Sequence, residues 1–185
     1  MSESTGLAAA TEREARFERL IELGIALSSE HNHDRLMEMI LLEAKRIPNA
    51  DGGTLYLHNE EDRTLEFKIL LNDTLNTAMG GTSGTEIEFP ALQLYDPETG
   101  EPNNKNVATS VALNKKMSNI PDAYEADDYD FSGTKAFDEN TGYRSMSFLT
   151  IPLLNGKEDV IGVVQLINAR DDAGIVIPFS AEIEP

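Results

Sequence analysis

Apolar residues fall at Phe17, Leu20, Ile21, Gly24 and Ile25, a spacing that predicts one buried face of a helix over residues 17–27. A second stripe, Leu36, Met37, Ile40, Leu41, Ala44 and Ile47, follows Asn32-His33-Asp34, where Asn32 or Asp34 can cap the free amides. Pro48 stops it. The short break at Ser28-Ser29-Glu30-His31 makes the two helices neighbours in space. From Gly53 the period drops to two. Gly53–His58 and Leu65–Leu71 alternate as strands, and Asn59-Glu60-Glu61-Asp62 between them predicts a hairpin turn. Glu86-Ile87-Glu88-Phe89 reads as a third, shorter strand between the glycine-rich stretch Gly80–Gly84 and a proline-containing excursion, Asp96–Pro102.

Val107–Lys115 predicts a short helix with Val107, Ala108, Val111 and Ala112 inward, and Ser118-Asn119-Ile120 a short strand ended by Pro121. Residues 122–142 read as a long acidic loop anchored by Tyr124, Tyr129, Phe131 and Phe137. Ser145–Leu154 and Val160–Ala169, joined by the turn Asn155–Asp159, are expected to form the central hairpin of the sheet. The stretch from Pro178 looks like a helix capped by Ser180 and cut off within its first turn. The pattern as a whole is α+β: a flexible segment over residues 1–10, then a single domain over 11–185 truncated at its last helix.

Composition narrows the function. The 185 residues carry 33 Asp plus Glu against 15 Lys plus Arg, a net charge of −18. That charge repels polyanions and excludes nucleic acid as a partner. With 40% hydrophobic residues the chain can bury a core, so the acid belongs to its surface. No cysteine is present, so a disulfide framework, a thiolate metal site and a cysteine nucleophile are all excluded. No apolar run approaches the roughly 18 residues of a membrane span, and the start Met1-Ser2-Glu3-Ser4 lacks the features of a signal peptide; a cytoplasmic location is expected.

Three ordered motifs are more specific. Asn119-Ile120-Pro121-Asp122-Ala123-Tyr124, then Phe137–Ser145, then Val160–Asn168 resemble the GAF domain, in the subgroup found in cyclic-nucleotide phosphodiesterases, bacterial cyclases, HD-GYP proteins and sensor kinases. The resemblance is strongest over residues 95–169 and extends over 16–180. It implies a six-stranded antiparallel sheet with the N- and C-terminal helices on one face and a ligand pocket on the other. In cyclic-nucleotide-binding members the matching positions line that pocket: Thr54, Val107, Ala108, Asp138, Thr141, Ser145 and Gln165, with one of Tyr129, Phe131 or Phe137 stacking on the base. The implied ligand is a small molecule, with cyclic AMP or cyclic GMP as the candidates. Amides at a helix start suit a phosphate, the Thr141 and Ser145 hydroxyls can bond it or the ribose, and Asp138 can accept from a purine edge. On this reading Asp138→Ala is a solvent-facing change that weakens binding and leaves stability untouched. Arg144 or Lys135 can attract an anion locally despite the net charge.

The phosphodiesterase signature of Asn-Lys, a spacer, Phe, three residues and Asp-Glu reads here Asn168-Ala169, Phe179, then Ile183-Glu184. Its Lys and Asp are missing, and Gln165 stands where some binders have Glu. His31-Asn32-His33-Asp34 is a capping region and not a metal cluster, and Glu125–Asp130 lacks the spacing of a calcium loop. Asp138-Glu139 has no nucleophile or phosphate loop near it and is read as part of the lid. The expected function is a non-enzymatic regulatory module that relays ligand state through its terminal helices to a covalently linked output domain, acting as a homodimer through those helices. A ligand-free dimerisation module is the alternative. The free methionine sulfoxide reductases of the GAF class use cysteines, and this chain has none.

Overall fold

The computed structural model describes Gly24, Ala26 and residues 29–180. Apart from Gly24 and Ala26, the expected first helix lies outside these residues, as does the expected helix after Ser180. The second expected helix is α1 (His33–Arg46). Asn32 caps it, its side-chain oxygen accepting from the Arg35 amide at 3.1 Å, and Asp34 in the first turn and Lys45 and Arg46 in the last complement the helix dipole.

Eight strands follow among the described residues: β1 (Ala50–Asn59), β2 (Thr64–Asn72), β3 (Thr77–Gly80), β4 (Leu92–Gln93), β5 (Ser118–Ile120), β6 (Phe148–Leu154), β7 (Val160–Arg170) and β8 (Val176–Ile177). Six make one antiparallel path, the six-stranded sheet expected, and they run in the order β3-β2-β1-β7-β6-β5; two-residue β4 and β8 add to β2 and β7. The central pair is β1 with β7, so the β6–β7 hairpin sits one place off centre. Gly162 permits that central contact, because a Cβ there would lie 2.4 Å from the Tyr56 carbonyl oxygen.

Two helices lie between β4 and β6. α2 (Val107–Asn114) begins at Asn106, whose side-chain oxygen accepts from the amides of Ala108 and Thr109, and ends at left-handed Lys115. α3 (Ser132–Thr141) ends at left-handed Gly142. It replaces much of the expected loop over 122–142. Its apolar content is too low for a helical stripe, and a buried carboxylate, Asp138, anchors it instead.

Alternation divides the core into two. Leu55, Ile69, Leu149, Val164 and Leu166 pack behind the sheet with Leu41 of α1 and with Phe179. Tyr56, Leu65, Phe148 and Val163 pack in front with Val107, Ala108 and Val111 of α2. A bulge in β2 keeps both faces in register: Leu55 opposes Ile69, Tyr56 opposes Phe67, and Lys68 is the extra residue.

Two strand assignments change. Glu86–Phe89 is not a strand; its alternation is real, but no neighbour offers a ladder, and Phe89 instead leans on Phe67 with ring centroids 5.4 Å apart. The third strand is β3, reached through Asn76 in a left-handed turn and ended by Gly80, also left-handed, where a Cβ would strike the Lys68 carbonyl. Ser145–Ser147 also fall short of the strand predicted from Ser145. Side chains of Asp138 and Asn168 take their backbone amides, and pairing starts at Phe148.

Candidate ligand site

On the front of the sheet, α3 stands off from β1, β2 and β3 and encloses a cavity of about 390 Å3. The floor is Thr54 on β1, Leu70 and Asn72 on β2, and Ile167 on β7. Leu75, Thr77 and Met79 form one wall, and Phe137 and Thr141 of α3 the other. Four residues apart, Phe137 and Thr141 share one helix face. Phe89 closes the rim; it and Phe137 remain 45% and 40% exposed, leaving an aromatic mouth. That volume lies within the roughly 300–1,000 Å3 of small-molecule pockets.

The lining is mainly apolar, and its polar side chains are three hydroxyls and one amide. The Thr141 hydroxyl donates to the Phe137 carbonyl at 2.8 Å, that of Thr77 donates to the Leu75 carbonyl at 3.3 Å, and the Asn72 oxygen accepts from the Leu75 amide at 2.8 Å. Among the described residues, no charged side chain lines the cavity. Its chemistry is that of holding a flat apolar body and bonding a few polar atoms at its edge.

Of the residues predicted for the site, the structure brings Thr54, Phe137 and Thr141 together here. Val107 and Ala108 lie in the front core and are not part of the cavity lining, and the amides of Ala108 and Thr109 are already taken by Asn106. Phe131 is buried against Phe148, ring centroids 5.3 Å apart. Gln165 accepts from the Tyr56 hydroxyl at 3.3 Å and donates to Thr150 at 3.2 Å; burial pushes the Tyr56 phenol well above its usual range, keeping it a donor.

Asp138 corrects the sequence reading most sharply. It is 3% exposed and faces away from the cavity, accepting from the Tyr124 hydroxyl (2.8 Å), the Ser145 amide (2.7 Å) and the Ser145 hydroxyl (2.8 Å). Its bond holds the Tyr124 phenol above the usual value. Arg144 stacks over the Tyr124 ring at 4.0 Å. Asp138 and Ser145 therefore tie α3 to the strand that follows and hold the cavity wall in place. The lining residues that sequence reasoning missed, Leu70, Asn72, Leu75, Thr77, Met79, Phe89 and Ile167, are apolar or turn residues whose only signal was strand alternation.

An antiparallel sheet with α1 on one face and a cavity on the other matches the expectation drawn from the three motifs, and the family model of the GAF domain matches residues 32–183. The chain belongs to the GAF domain family. A cGMP-specific 3',5'-cyclic phosphodiesterase of Drosophila pseudoobscura pseudoobscura is 30% identical over 156 residues, 82% of this chain and 13% of that protein. The GAF domain thus spans a small part of the length of such relatives. Among solved structures, the GAF domain from an Acinetobacter phosphoenolpyruvate-protein phosphotransferase superposes with TM-score 0.60 at 14% identity, covering 91% of this chain and 82% of that one. The corresponding domain from Coxiella burnetii gives 0.61 at 13% identity, covering 90% and 82%. At these identities the likeness is one of fold.

Proposed function

We propose that this GAF domain is the cytoplasmic, non-catalytic sensory module of a larger signalling protein, and that the cavity beneath α3 binds its small-molecule ligand. The observation that carries the proposal is the cavity itself: ligand-sized, apolar, with an aromatic mouth and one wall formed by the single helix α3. A ligand between the strands and Phe137 would favour the conformation in which α3 is closed, and that population shift would pass through the terminal helices to a covalently linked output domain. Cyclic AMP or cyclic GMP is the first class to test, on the strength of the phosphodiesterase relatives. The base would lie against Phe137 and Phe89, with the Thr54 and Thr141 hydroxyls at its edge and the phosphate toward solvent, since no cation among the described residues lines the interior.

Titration with cyclic AMP, cyclic GMP and cyclic di-GMP, followed by thermal shift and calorimetry, tests this. Saturable stabilisation should approach about 2.7 kcal/mol at a hundredfold excess over Kd. Affinity lost in Phe137→Ala and kept in Gln165→Ala would place the ligand in this cavity. The alternative of a ligand-free homodimerisation module is favoured by the capped start of α2 and by the missing Lys and Asp of the phosphodiesterase signature. A dimer in sedimentation that responds to no nucleotide would support it.

A further inference from the structure

Beside the cavity, one connected run of polar side chains crosses the end of the sheet from front to back. It starts at Tyr143, next after the Gly142 cap of α3. The Tyr143 hydroxyl donates to Asp51 at 2.6 Å and accepts from the Asn168 side chain at 2.9 Å. Asp51, on β1, is 2% exposed; its second oxygen pairs with Arg170 at 2.8 Å and accepts from the Thr74 hydroxyl at 2.9 Å. Arg170, at the end of β7, also donates to Asp73 at 3.1 Å. Asp73 in turn accepts from Lys45 at 2.6 Å, and Lys45 lies in the last turn of α1, behind the sheet, with its side chain 7% exposed.

Three features make this run more than a surface ion-pair cluster. Asp51 is a buried acid whose partners come from three separate stretches of the chain, so losing one leaves the others to compensate a group taken out of water. Tyr143 is a committed donor: burial, then the hydrogen bond to Asp51, push its phenol well above the usual range. Asn168 sits at φ 58° and is 1% exposed, and its amide takes the Met146 and Ser147 amides and the Arg144 carbonyl. The segment after α3 is therefore clamped to β7 at the same point where Tyr143 reaches Asp51. Tyr143 follows α3 by one residue, so a shift of α3 that is carried past Gly142 pulls on the donor to Asp51, and Asp51 in turn holds Arg170, which shares Asp73 with Lys45.

We propose that the run Tyr143–Asp51–Arg170–Asp73–Lys45 couples the position of α3 over the cavity to the C-terminal turn of α1, so that occupancy on the front of the sheet is read on its back. Tyr143 and Asp51 are positioning residues, neither touching the ligand. The inference rests on α3 being the movable wall of the ligand site, but the coupling belongs to the empty protein and is measurable there.

The test is residue-resolved amide hydrogen exchange on the unliganded chain, with α3 (Lys135–Thr141), the last turn of α1 (Glu43–Arg46) and the central β1 and β7 amides as internal standard. Tyr143→Phe removes the front end of the run, Lys45→Met the back end, and Arg46→Met is the control, since among the described residues Arg46 pairs with Glu43, outside the run. Each of the first two variants should speed exchange in both α3 and α1 by about tenfold relative to the standard, the scale of one lost hydrogen bond to a charged group. Arg46→Met should leave α3 unchanged. Asp73→Asn, at a half-exposed position, serves as the milder lesion if Lys45→Met does not fold. Exchange that rises only next to each substitution, or rises uniformly through the standard, overturns the proposal. A chain that binds no tested nucleotide yet shows the two-ended response would refute the ligand assignment and leave the coupling standing.

Discussion

Removing a carboxylate that accepts three internal hydrogen bonds strands every donor it served. Asp138→Ala would leave the Ser145 amide and hydroxyl and the Tyr124 hydroxyl without their acceptor at a buried position. The expected loss is about 2–4 kcal/mol, read from urea unfolding, whereas Ser145→Ala removes one neutral donor and should cost about 1 kcal/mol. Equal, small effects would show that Asp138 is solvated after all. From sequence alone Asp138 was a solvent-facing ligand residue, because an Asp in an acidic stretch gives no sign of burial; only tertiary structure puts Ser145 and Tyr124 around it. Gly162 is the steric counterpart. Alanine there meets the Tyr56 carbonyl in the central strand pair and should cost about 1–3 kcal/mol by the same measurement.

At the scale of elements, what can be read from sequence follows local regularity. α1, β1, β2, α2 and β7 announce themselves by stripe or alternation, and the structure moves their ends by only a few residues. α3 and β3 do not. α3 opens Ser132-Gly133-Thr134, poor helix formers, and β3 is a four-residue strand whose register depends on the left-handed Asn76. The cavity was only partly legible for the same reason: Thr54 lies in a strong strand, but Phe137 and Thr141 share a face only because α3 is a helix. Gly133 offers a direct test of how weakly that helix is held. Nothing lies within 4 Å of a Cβ there, and its backbone is helical, so Gly133→Ala should stabilise α3 by about 0.5–1 kcal/mol. Slower amide exchange confined to 132–141 is the expected result, and unchanged exchange would mean that tertiary contacts alone set the opening of α3.

At the scale of the whole molecule, a charge of −18 acts on the fold and on any ligand at once. Self-repulsion among 33 acids outweighs a handful of ion pairs, so NaCl should raise the melting temperature as the screening length falls from about 30 Å at 0.01 M to about 8 Å at 0.15 M. The same field separates ligand classes. An anionic ligand approaches against it, and because no cation among the described residues lines the cavity, no ion pair there repays that work. If cyclic nucleotides are the ligand, their association rate and affinity should both rise with NaCl over this range, the reverse of what an anion site built from Lys or Arg shows. Stopped-flow binding to a Phe89→Trp variant, in a chain that otherwise has no tryptophan, reads the rate directly. A rate that falls with salt would mean that Arg144 or Lys135 reaches the ligand. Indifference to salt, with saturable binding of an uncharged compound, would place the specificity in the apolar floor of Leu70 and Ile167 and in the aromatic mouth.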